Sequence, residues 1–472
     1  MRSLRSMIVA SFASAGLLAA PAVLADSFVI LAKGNFSADF ESQVQAAGGR
    51  VTTMVPEIGV ALVDSDNPAF RTAGASIAGV QDIAANVVVR MIEPSDPVTL
   101  SVAEAFANPP NSGDDDFYFD LQWGHQAVDA AGAWNAGYRG AGARVAVLDS
   151  GIDAEHPDIA PNLNAALSAS FVPGEDWNVR PGTFYNHGTH VAGTIAAADN
   201  GYGVIGIAPE AEIVAVKVLS EYSGSGSFGG IAAGIVYAAN IDADIINMSL
   251  GATIPHNCTF DVLDDDGNPT GETEHYPAKD CAALLNMLNR ATSYANKMGT
   301  TLISSAGNDA ADLDHNGSDA KVPAESVGVL TISALAPMKW AADPLNANFD
   351  RLASYSNYGQ SSIAFGAPGG DYAYAFVDPS EICSVAGVVH YCYVFDYVLS
   401  SVSGGWSWSV GTSMASPHAA GVAALIVGKN GGSMSPSALE AALRKSSTDA
   451  GKPGRDDVFG FGSVNAANAV AD

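Results

Sequence analysis

The chain has 472 residues, of which 48% are hydrophobic and 15% charged. This is the composition of a globular protein with a sizeable core rather than of a disordered chain. The length exceeds what one hydrophobic core usually holds, so we expect one large domain with smaller appendages. The formal net charge of −29 argues against nucleic acid as a partner, because the nucleic acid backbone is polyanionic.

Residues 1–25 have the pattern of an export signal. Two arginines near the start precede an apolar run from Met7 to Leu18, and small residues lead to Ala25. A short buried helix is the alternative interpretation, but the terminal position and the basic flank favour export. No later stretch supplies the roughly 20 uninterrupted apolar residues of a membrane span. We therefore expect a secreted monomer, extracellular or periplasmic, without a membrane anchor.

The four cysteines all follow the export signal, and none belongs to a Cys-x-x-Cys pattern, which argues against metal ligation by thiolates. Four cysteines allow three pairings. We expect the pairing between neighbours in sequence, Cys258 with Cys281 and Cys383 with Cys392. Exported proteins form such disulfides because their compartment is oxidising.

Residues 26–91 have the pattern of a small α+β unit. Apolar alternation predicts a strand at its start, a helix-like stretch follows at 37–47, and strand-like runs surround Val60 and Val87. The next stretch, 92–118, is rich in Pro, Asp, Asn and Ser. That composition predicts an exposed linker that is open to cleavage.

From residue 119 onward, short apolar runs alternate with helix-like segments. This alternation predicts an α/β domain over 119–472, with a mainly parallel central sheet flanked by helices. In such a sheet the chemistry lies outside the carboxyl ends of the strands. The predicted strands are 144–149, 212–219, 244–249, 301–305 and 328–333, and the predicted helices include 228–240 and 281–297.

Three segments each place one reactive side chain at the boundary of a predicted element. Asp149 ends an apolar strand, His187 begins a helix of small residues, and Ser413 begins a strongly apolar helix. Taken singly, they would be a turn former, a structural histidine and a helix cap. Together they supply the orienting carboxylate, the base and the nucleophile of acyl transfer. His190, one turn after His187, is interpreted as structural.

These segments resemble the signatures of the subtilisin family. Asp149-Ser-Gly, Asn186-His187-Gly-Thr-His190 and Gly411-Thr-Ser413-Met-Ala follow the chain order Asp, His, Ser that separates this family from chymotrypsin-like and α/β-hydrolase enzymes. The resemblance covers about residues 120–470. It implies a three-layer subtilisin-like fold and a serine endopeptidase that acts on proteins or peptides.

Two alternatives keep the same export signal. One is a catalytically inactive binding protein with this fold, against which the complete triad argues. The other is an exported esterase, against which the chain order and the lack of a Gly-x-Ser-x-Gly elbow in the sequence argue.

The resemblance also implies roles outside the triad. It assigns the side-chain amide of Asn308 to the oxyanion of the tetrahedral intermediate, and two segments to binding of the substrate main chain as an added strand. In isolation, Asn308 would be a turn residue, and the two segments would be a flexible loop and a strand end. The segments are Ser225, Gly226 and Ser227, and Ser249, Leu250 and Gly251.

A structural Ca²⁺ site is implied by residues 198–204, which resemble the loop with which family members bind the ion. An ordinary glycine-rich turn is the alternative. The chemistry itself needs no cofactor. The implied ligands are Gln122, Asp158, Ala198, Asn200, Tyr202 and Val204.

Residues 26–91 resemble the inhibitory propeptide of the family, with a stable accessory domain as the alternative. We expect Ser413 to cut the linker 92–118 and thereby release this unit, which is the chain's own inhibitor.

Two insertions, at about 252–280 and 371–404, leave the substrate specificity open. The first contains an acidic triplet, Asp264 to Asp266, which is either a solvated loop or a second cation site. The alignment with the family also places Lys321 near the base of the primary pocket, where its charge would favour acidic residues at the cut.

Overall fold

A computed structural model of the chain describes residues 26–92, 98–100, 114–180, 186–263, 269–317 and 319–471. The predicted export signal, most of the predicted linker and the triplet Asp264 to Asp266 lie outside the described residues. Among the helices that are described, none is long and apolar enough to cross a membrane.

The N-terminal unit is a four-stranded antiparallel sheet with two helices on one face. Its elements are β1 (Asp26–Ala32), α1 (Phe40–Ala46), β2 (Arg50–Val55), β3 (Val60–Ser65), α2 (Phe70–Ala75) and β4 (Val80–Ala85). The strand order is β2-β3-β1-β4. Phe28 and Ile30 pack under the helices, whereas Val29 and Leu31 face the rest of the chain. This division follows from the alternation of side chains along a strand.

The first of the remaining elements ends the N-terminal unit 26–91, and the others belong to a larger α/β body. They are β5 (Val88–Arg90), β6 (Val98–Leu100), α3 (Trp123–Ala127), α4 (Ala130–Asn135), β7 (Arg144–Asp149), β8 (Ala169–Ser170), α5 (His187–Ala196), β9 (Glu212–Lys217), β10 (Ser225–Ser227), α6 (Phe228–Asn240), β11 (Ile245–Met248), β12 (Ala252–Ile254), β13 (Thr259–Leu263), β14 (Pro269–His275), α7 (Ala278–Met298), β15 (Thr301–Ser305), β16 (Ala320–Val322), β17 (Val329–Leu335), β18 (Ile363–Pro368), β19 (Ile382–Val385), β20 (Val388–Tyr391), β21 (Val398–Val402), β22 (Gly405–Ser409), α8 (Thr412–Lys429), α9 (Pro436–Ser446) and α10 (Ala466–Val470).

A seven-stranded parallel sheet in the order β18-β17-β15-β11-β7-β9-β8 forms the centre of this body. On β7, Val145 and Val147 pack toward α5 and α8, whereas Ala146 and Leu148 pack toward α6 and α7. Because helices cover both faces, successive residues of these strands are apolar. The structure therefore confirms the expected three-layer fold with a mainly parallel central sheet.

The N-terminal unit packs on helix α7. Arg71 donates hydrogen bonds of 2.8 and 2.6 Å to the two carboxylate oxygens of Asp280, which is fully buried. The backbone N–H of Ala85 donates to the same carboxylate at 3.0 Å. Arg290, further along the helix, donates to two backbone carbonyls of the unit. Charged groups thus fix the unit on α7 beside the apolar contacts.

The two disulfides join Cys258 to Cys281 and Cys383 to Cys392, as expected from the sequence. Both insertions have strand structure. The first contains β12 and the antiparallel pair β13 and β14, and the second contains the hairpin of β19 and β20 together with β21.

Several described residues of the predicted linker are buried, although Thr99 and Asp115 are exposed. β6 adds a third strand to the hairpin of β21 and β22, and Leu100 of β6 is buried there. Asp116 and Tyr118 are buried as well. The composition of 92–118 could not reveal this packing, because it depends on pairing with a strand far along the chain.

Candidate active site

Three neighbouring strands bring candidate residues to one edge of the sheet. β7 ends at Asp149, Ser249 follows β11, and Asn308 follows β15. These strands are adjacent and parallel, so their carboxyl ends meet at the same edge. His187 is the first residue of α5, and Ser413 is the second residue of α8. Strand ends and helix starts together build the site.

His187 is held by Asp149. Its Nδ1 lies 2.9 Å from each carboxylate oxygen of Asp149. Asp149 is 1% exposed, and its Oδ1 also accepts the backbone N–H of Ser150 at 2.6 Å. A carboxylate that accepts from Nδ1–H leaves Nε2 of the neutral ring as a proton acceptor. The pair is therefore arranged for general-base catalysis.

Ser413 lies against the segment that follows β11. Its Oγ donates to the carbonyl oxygen of Ser249 at 3.2 Å, and Oγ of Ser249 donates to the carbonyl oxygen of Ser413 at 2.7 Å. The N–H of Ser413 belongs to the first turn of α8, where backbone N–H groups have no partner within the helix and the helix dipole favours negative charge.

The amide of Asn308 has a fixed orientation. Its Oδ1 accepts hydrogen bonds from the backbone N–H of Thr412 at 2.9 Å and from Thr412 Oγ1 at 2.8 Å. The oxygen is thereby identified, and Nδ2 is the donor. A Cβ placed on Gly411 would lie 3.5 Å from Nδ2 of Asn308 and 3.6 Å from the backbone nitrogen of Ser413. Two donors therefore flank one point beside Ser413.

The two segments assigned to substrate binding enclose a strand of the chain itself. β5 pairs antiparallel with β10, with Gly226 opposite Val89. The N–H of Met91 donates to the carbonyl of Gly224, and the N–H of Gly251 donates to the carbonyl of Met91, both at 3.1 Å. The end of the N-terminal unit thus lies between the edges 225–227 and 249–251. The sequence pattern of residues 88–91 alone did not place them in the groove.

The profile described as "Subtilase family" matches residues 140–462. The chain belongs to the subtilase family. M-protease of Shouchella clausii (strain KSM-K16) is 35% identical over 351 residues, which are 74% of this chain and 70% of that protein. Subtilisin Savinase of Lederbergia lenta is 34% identical over 351 residues, which are 74% of this chain and 98% of that protein. These relatives and the family establish a serine endopeptidase.

Solved structures share the fold of this chain. The epidermin leader peptide processing serine protease of Staphylococcus aureus has a TM-score of 0.71 and 21% identity, and the match covers 94% of this chain and 98% of that chain. At this identity the likeness shows the fold. Proteases from Pseudoalteromonas arctica PAMC 21717 give a TM-score of 0.55 and 29% identity over 76% of this chain and 99% of that chain.

Six residues were assigned to calcium. Two of them, Gln122 and Asp158, differ from each other in how their side-chain oxygens are bonded in this subtilase. Both amide atoms of Gln122 bond to the backbone of Ile205, at 3.0 and 3.1 Å. Asp158 is fully buried. Its Oδ2 accepts from the N–H of Val204 at 3.0 Å and from Trp406 Nε1 at 2.8 Å. Its Oδ1 is buried without a hydrogen-bond partner among the described residues, so Asp158 has an oxygen to offer to a cation. Oε1 of Gln122 accepts one hydrogen bond and keeps a second lone pair.

The other four residues lie on the loop 198–204. Ala198 donates from its N–H to the main-chain carbonyl of Asp158, and Oδ1 of Asn200 accepts from the N–H of Tyr202 at 2.9 Å. Asp116, which the sequence analysis placed in the linker, accepts from the N–H groups of Asn200 and Tyr202 at 3.3 and 3.1 Å. The run Asp114-Asp115-Asp116, just before the predicted domain, was the signal that could have identified this residue.

Asp116 belongs to a compact acidic group. One carboxylate oxygen from each member lies within 4.8 Å of the others. Burial, and then the neighbouring Asp114, raise the pKa of Asp116 to about 8. The members are Asp114, Asp115, Asp116 and Asp199.

Three histidines are buried without facing the groove. Burial lowers the pKa of His125 and of His190 to about 3, and that of His418 to about 4. Nε2 of His190 lies 3.2 Å from the carbonyl of Val398 and 3.1 Å from that of Ser407, so this nitrogen carries the hydrogen. These contacts agree with the interpretation of His190 as structural.

Replacing His190 with Gln is expected to cost less stability at pH 4 than at pH 7. Wild-type His190 stays neutral when folded but takes up a proton on unfolding below its unfolded pKa of about 6.5. Its contribution therefore falls as pH falls, by up to about 1.4 kcal/mol per pH unit, whereas Gln does not titrate. Urea unfolding of both proteins in a Ser413→Ala background, at pH 7, 5 and 4, measures the difference. A pH-independent difference would contradict the lowered pKa.

Proposed function

We propose that this subtilase is a secreted endopeptidase, made as a precursor, with Ser413 as nucleophile, His187 as general base and Asp149 as the residue that orients the histidine. The observation that carries the proposal is the position of residues 88–91 between β10 and Gly251, since Ser249, two residues before Gly251, bonds to Ser413. A groove that bonds to an extended main chain on both sides suits an enzyme that cuts within protein chains.

In the proposed reaction, Nε2 of His187 takes the proton of Ser413 Oγ as this oxygen attacks the scissile carbonyl carbon. The hydroxyl first leaves its partner, the carbonyl of Ser249. Nδ2 of Asn308 and the N–H of Ser413 donate to the resulting oxyanion. His187 then gives its proton to the departing amine, which leaves an acyl-enzyme on Ser413. Water, deprotonated by the same imidazole, releases the acid product and restores the hydroxyl.

The precursor form is proposed from the position of the N-terminal unit. Residues 26–91 would act as an inhibitory propeptide, because β5 occupies the groove that a substrate needs and Met91 bonds to both of its edges. Ser413 would cut the chain beyond this strand, within 92–118, after residues 1–25 have directed export. The mature enzyme would act as a monomer without a membrane anchor or a nucleic acid partner.

Replacing Ser413 with Ala is expected to remove nearly all casein hydrolysis and to leave the precursor uncut, because both reactions use the same hydroxyl. His187→Ala should be as severe, whereas Asp149→Ala should retain more turnover, as is known for the triad of subtilisin. N-terminal sequencing after expression in a host without other secreted proteases measures the cut. A Ser413→Ala protein that is processed at the wild-type bond would rule out self-cleavage, and one that hydrolyses casein would rule out the nucleophile.

A structural Ca²⁺ ion on the loop 198–204 is also proposed. The free Oδ1 of buried Asp158 and the buried carboxylate of Asp116 both belong to the surroundings of this loop. Oxygen ligands of this kind suit Ca²⁺, which would neutralise the carboxylates and take no part in the reaction. Gln122 stays a proposed ligand through the second lone pair of Oε1, and Asp116 is added to the set. The remaining proposed ligands are the side chain of Asn200 and the carbonyls of Ala198, Tyr202 and Val204.

Removing calcium with a chelator is expected to lower the Tm while initial rates at low temperature stay nearly unchanged, because an ion that binds only the folded state stabilises it. Asp116→Asn should reduce the Tm difference between calcium and chelator. Asp350→Asn, an exposed carboxylate outside the loop, is the matched control. A Tm that does not respond to the chelator, together with metal analysis that finds no calcium, would contradict the site.

An ion pair next to Asn308 bears on specificity. Nζ of Lys321 lies 2.5 Å from Oδ2 of Asp309. Lys321 on β16 pairs with Thr253 on β12, the strand that begins immediately after Gly251. Lys321 taken alone predicted a preference for acidic residues at the cut. The pair of Lys321 and Asp309, however, has no net charge. We therefore propose that uncharged side chains are preferred at the cut.

Asp309→Asn should leave the charge of Lys321 unbalanced and raise kcat/KM for cutting after Glu or Asp, relative to apolar residues, by roughly tenfold. Lys321→Met should shift the preference toward Lys and Arg by a similar factor. A peptide library that varies only the residue before the cut gives all three profiles. Identical profiles for the wild type and both variants would show that the pair does not face this residue.

A further inference from the structure

A buried lysine lies directly behind the candidate triad. Lys217 is the last residue of β9 and stands in register with Asp149 at the end of the neighbouring strand β7. Its side chain is fully buried. Lysine is almost never fully buried without partners, because removing an ammonium from water is costly.

The ammonium bonds to the residue that links Asp149 to His187. Ser150 donates from its N–H to Oδ1 of Asp149 at 2.6 Å, and its Oγ accepts the N–H of Gly188, the residue after His187, at 3.1 Å. Nζ of Lys217 donates to the carbonyl oxygen of Ser150 at 2.6 Å. Any displacement of Ser150 would therefore move both the carboxylate and the start of the helix that carries the base.

Two glutamates hold the ammonium in place. Nζ lies 3.1 Å from Oε2 of Glu175 and 3.8 Å from Oε1 of Glu221, and Glu221 is 1% exposed. Both carboxylates are themselves fixed by the backbone: Glu175 accepts the N–H of Glu221, and Glu221 accepts the N–H of Arg180, each at 3.0 Å. Lys217 thus has carboxylate partners on two residues, and its position is determined from several sides.

The turn after Asp149 leaves no space between itself and the lysine. A Cβ on Gly151 would lie 3.3 Å from Nζ of Lys217 and 2.5 Å from the carbonyl oxygen of Trp177. Gly151 has a φ of +98°, in the left-handed region that favours glycine. The ammonium therefore packs directly against the backbone that carries Asp149.

We infer that Lys217 is a positioning residue of the protease: acting through the carbonyl of Ser150, it fixes the relative placement of Asp149 and His187. This inference rests on the roles proposed for those two residues. A group that positions the general base contributes to turnover rather than to substrate affinity. Displacing the base by a fraction of an ångström weakens proton transfer but removes no contact to the substrate.

Lys217→Met removes the donor while keeping most of the volume. It is expected to lower kcat by about 10- to 100-fold and to change KM for a short peptide much less. Lys217→Arg, which keeps a cationic donor, should recover part of kcat. Rates are measured well below the Tm of each variant and divided by the number of active sites, which a serine-directed covalent inhibitor titrates.

Lys429→Met is the matched control. Lys429 also donates to backbone carbonyls, those of Val470 and Ala471, but it ends helix α8, whose start carries Ser413. This variant should lose stability without losing kcat. A Lys217→Met enzyme that behaves in the same way, with a lower Tm and the wild-type kcat, would show a structural role only and would overturn the inference.

A double-variant cycle with Ser150→Ala tests whether Lys217 acts through Ser150. The ammonium of Lys217 and the hydroxyl of Ser150 would both position the backbone at Ser150. The loss in kcat of the double variant should therefore be clearly smaller than the product of the two single losses. Losses that multiply would mean that Lys217 acts independently of Ser150, against the inference. If Lys217→Met does not fold, the cycle is run with Lys217→Arg. Failure of the proposed function is recognised separately, by casein hydrolysis in the Ser413→Ala protein.

Discussion

The parallel direction of β15, β11 and β7 determines where the candidate residues lie. Strands that run in the same direction end at one edge, so Asn308, Ser249 and Asp149 reach that edge from three separate parts of the sequence. Helices between parallel strands begin near this edge and run back to the opposite one, and the starts of α5 and α8 lie at this edge. Their first turns present His187 and Ser413, together with backbone N–H groups that have no partner within the helix.

The edge that would bind a substrate is also the edge that the chain covers with its own strand. β5 bonds to β10 on one side, and Met91 bonds to Gly251 on the other. A second attachment lies away from the groove, where Arg71 meets Asp280 on α7. The N-terminal unit is thus held at two places, and neither place depends on the chain being continuous beyond residue 92.

The elements predicted best from the sequence are those whose pattern is local. The strands at 144–149 and 301–305 and the helix at 228–240 have the predicted bounds, because a parallel strand covered on both faces is a short apolar run between polar residues. The triad positions followed from the same runs, since each lies at the boundary of an element. Asp149 and His187 are in direct contact as expected.

What the sequence did not reveal depends on partners that are distant in the chain. Leu100 lies in a stretch with linker composition and is buried only because β6 pairs with β22. The amide of Gln122 bonds to the backbone of Ile205, which is likewise distant in the chain. In the sequence, Lys217 is one polar residue at the end of an apolar strand. Only the fold shows that it donates a hydrogen bond to the carbonyl oxygen of Ser150.

Trp406 gives the proposed calcium loop an optical reporter. Its indole N–H bonds to Asp158, and its ring lies edge-on to those of Tyr118, Tyr202 and His156, with centroid distances of 5.1, 5.3 and 5.7 Å. Indole emission depends on the charge and the polarity around the ring. The second insertion ends immediately before the hairpin strand that carries this tryptophan. The contribution of Trp406 to the emission of the six tryptophans would therefore follow both the loop and the insertion, without any attached dye.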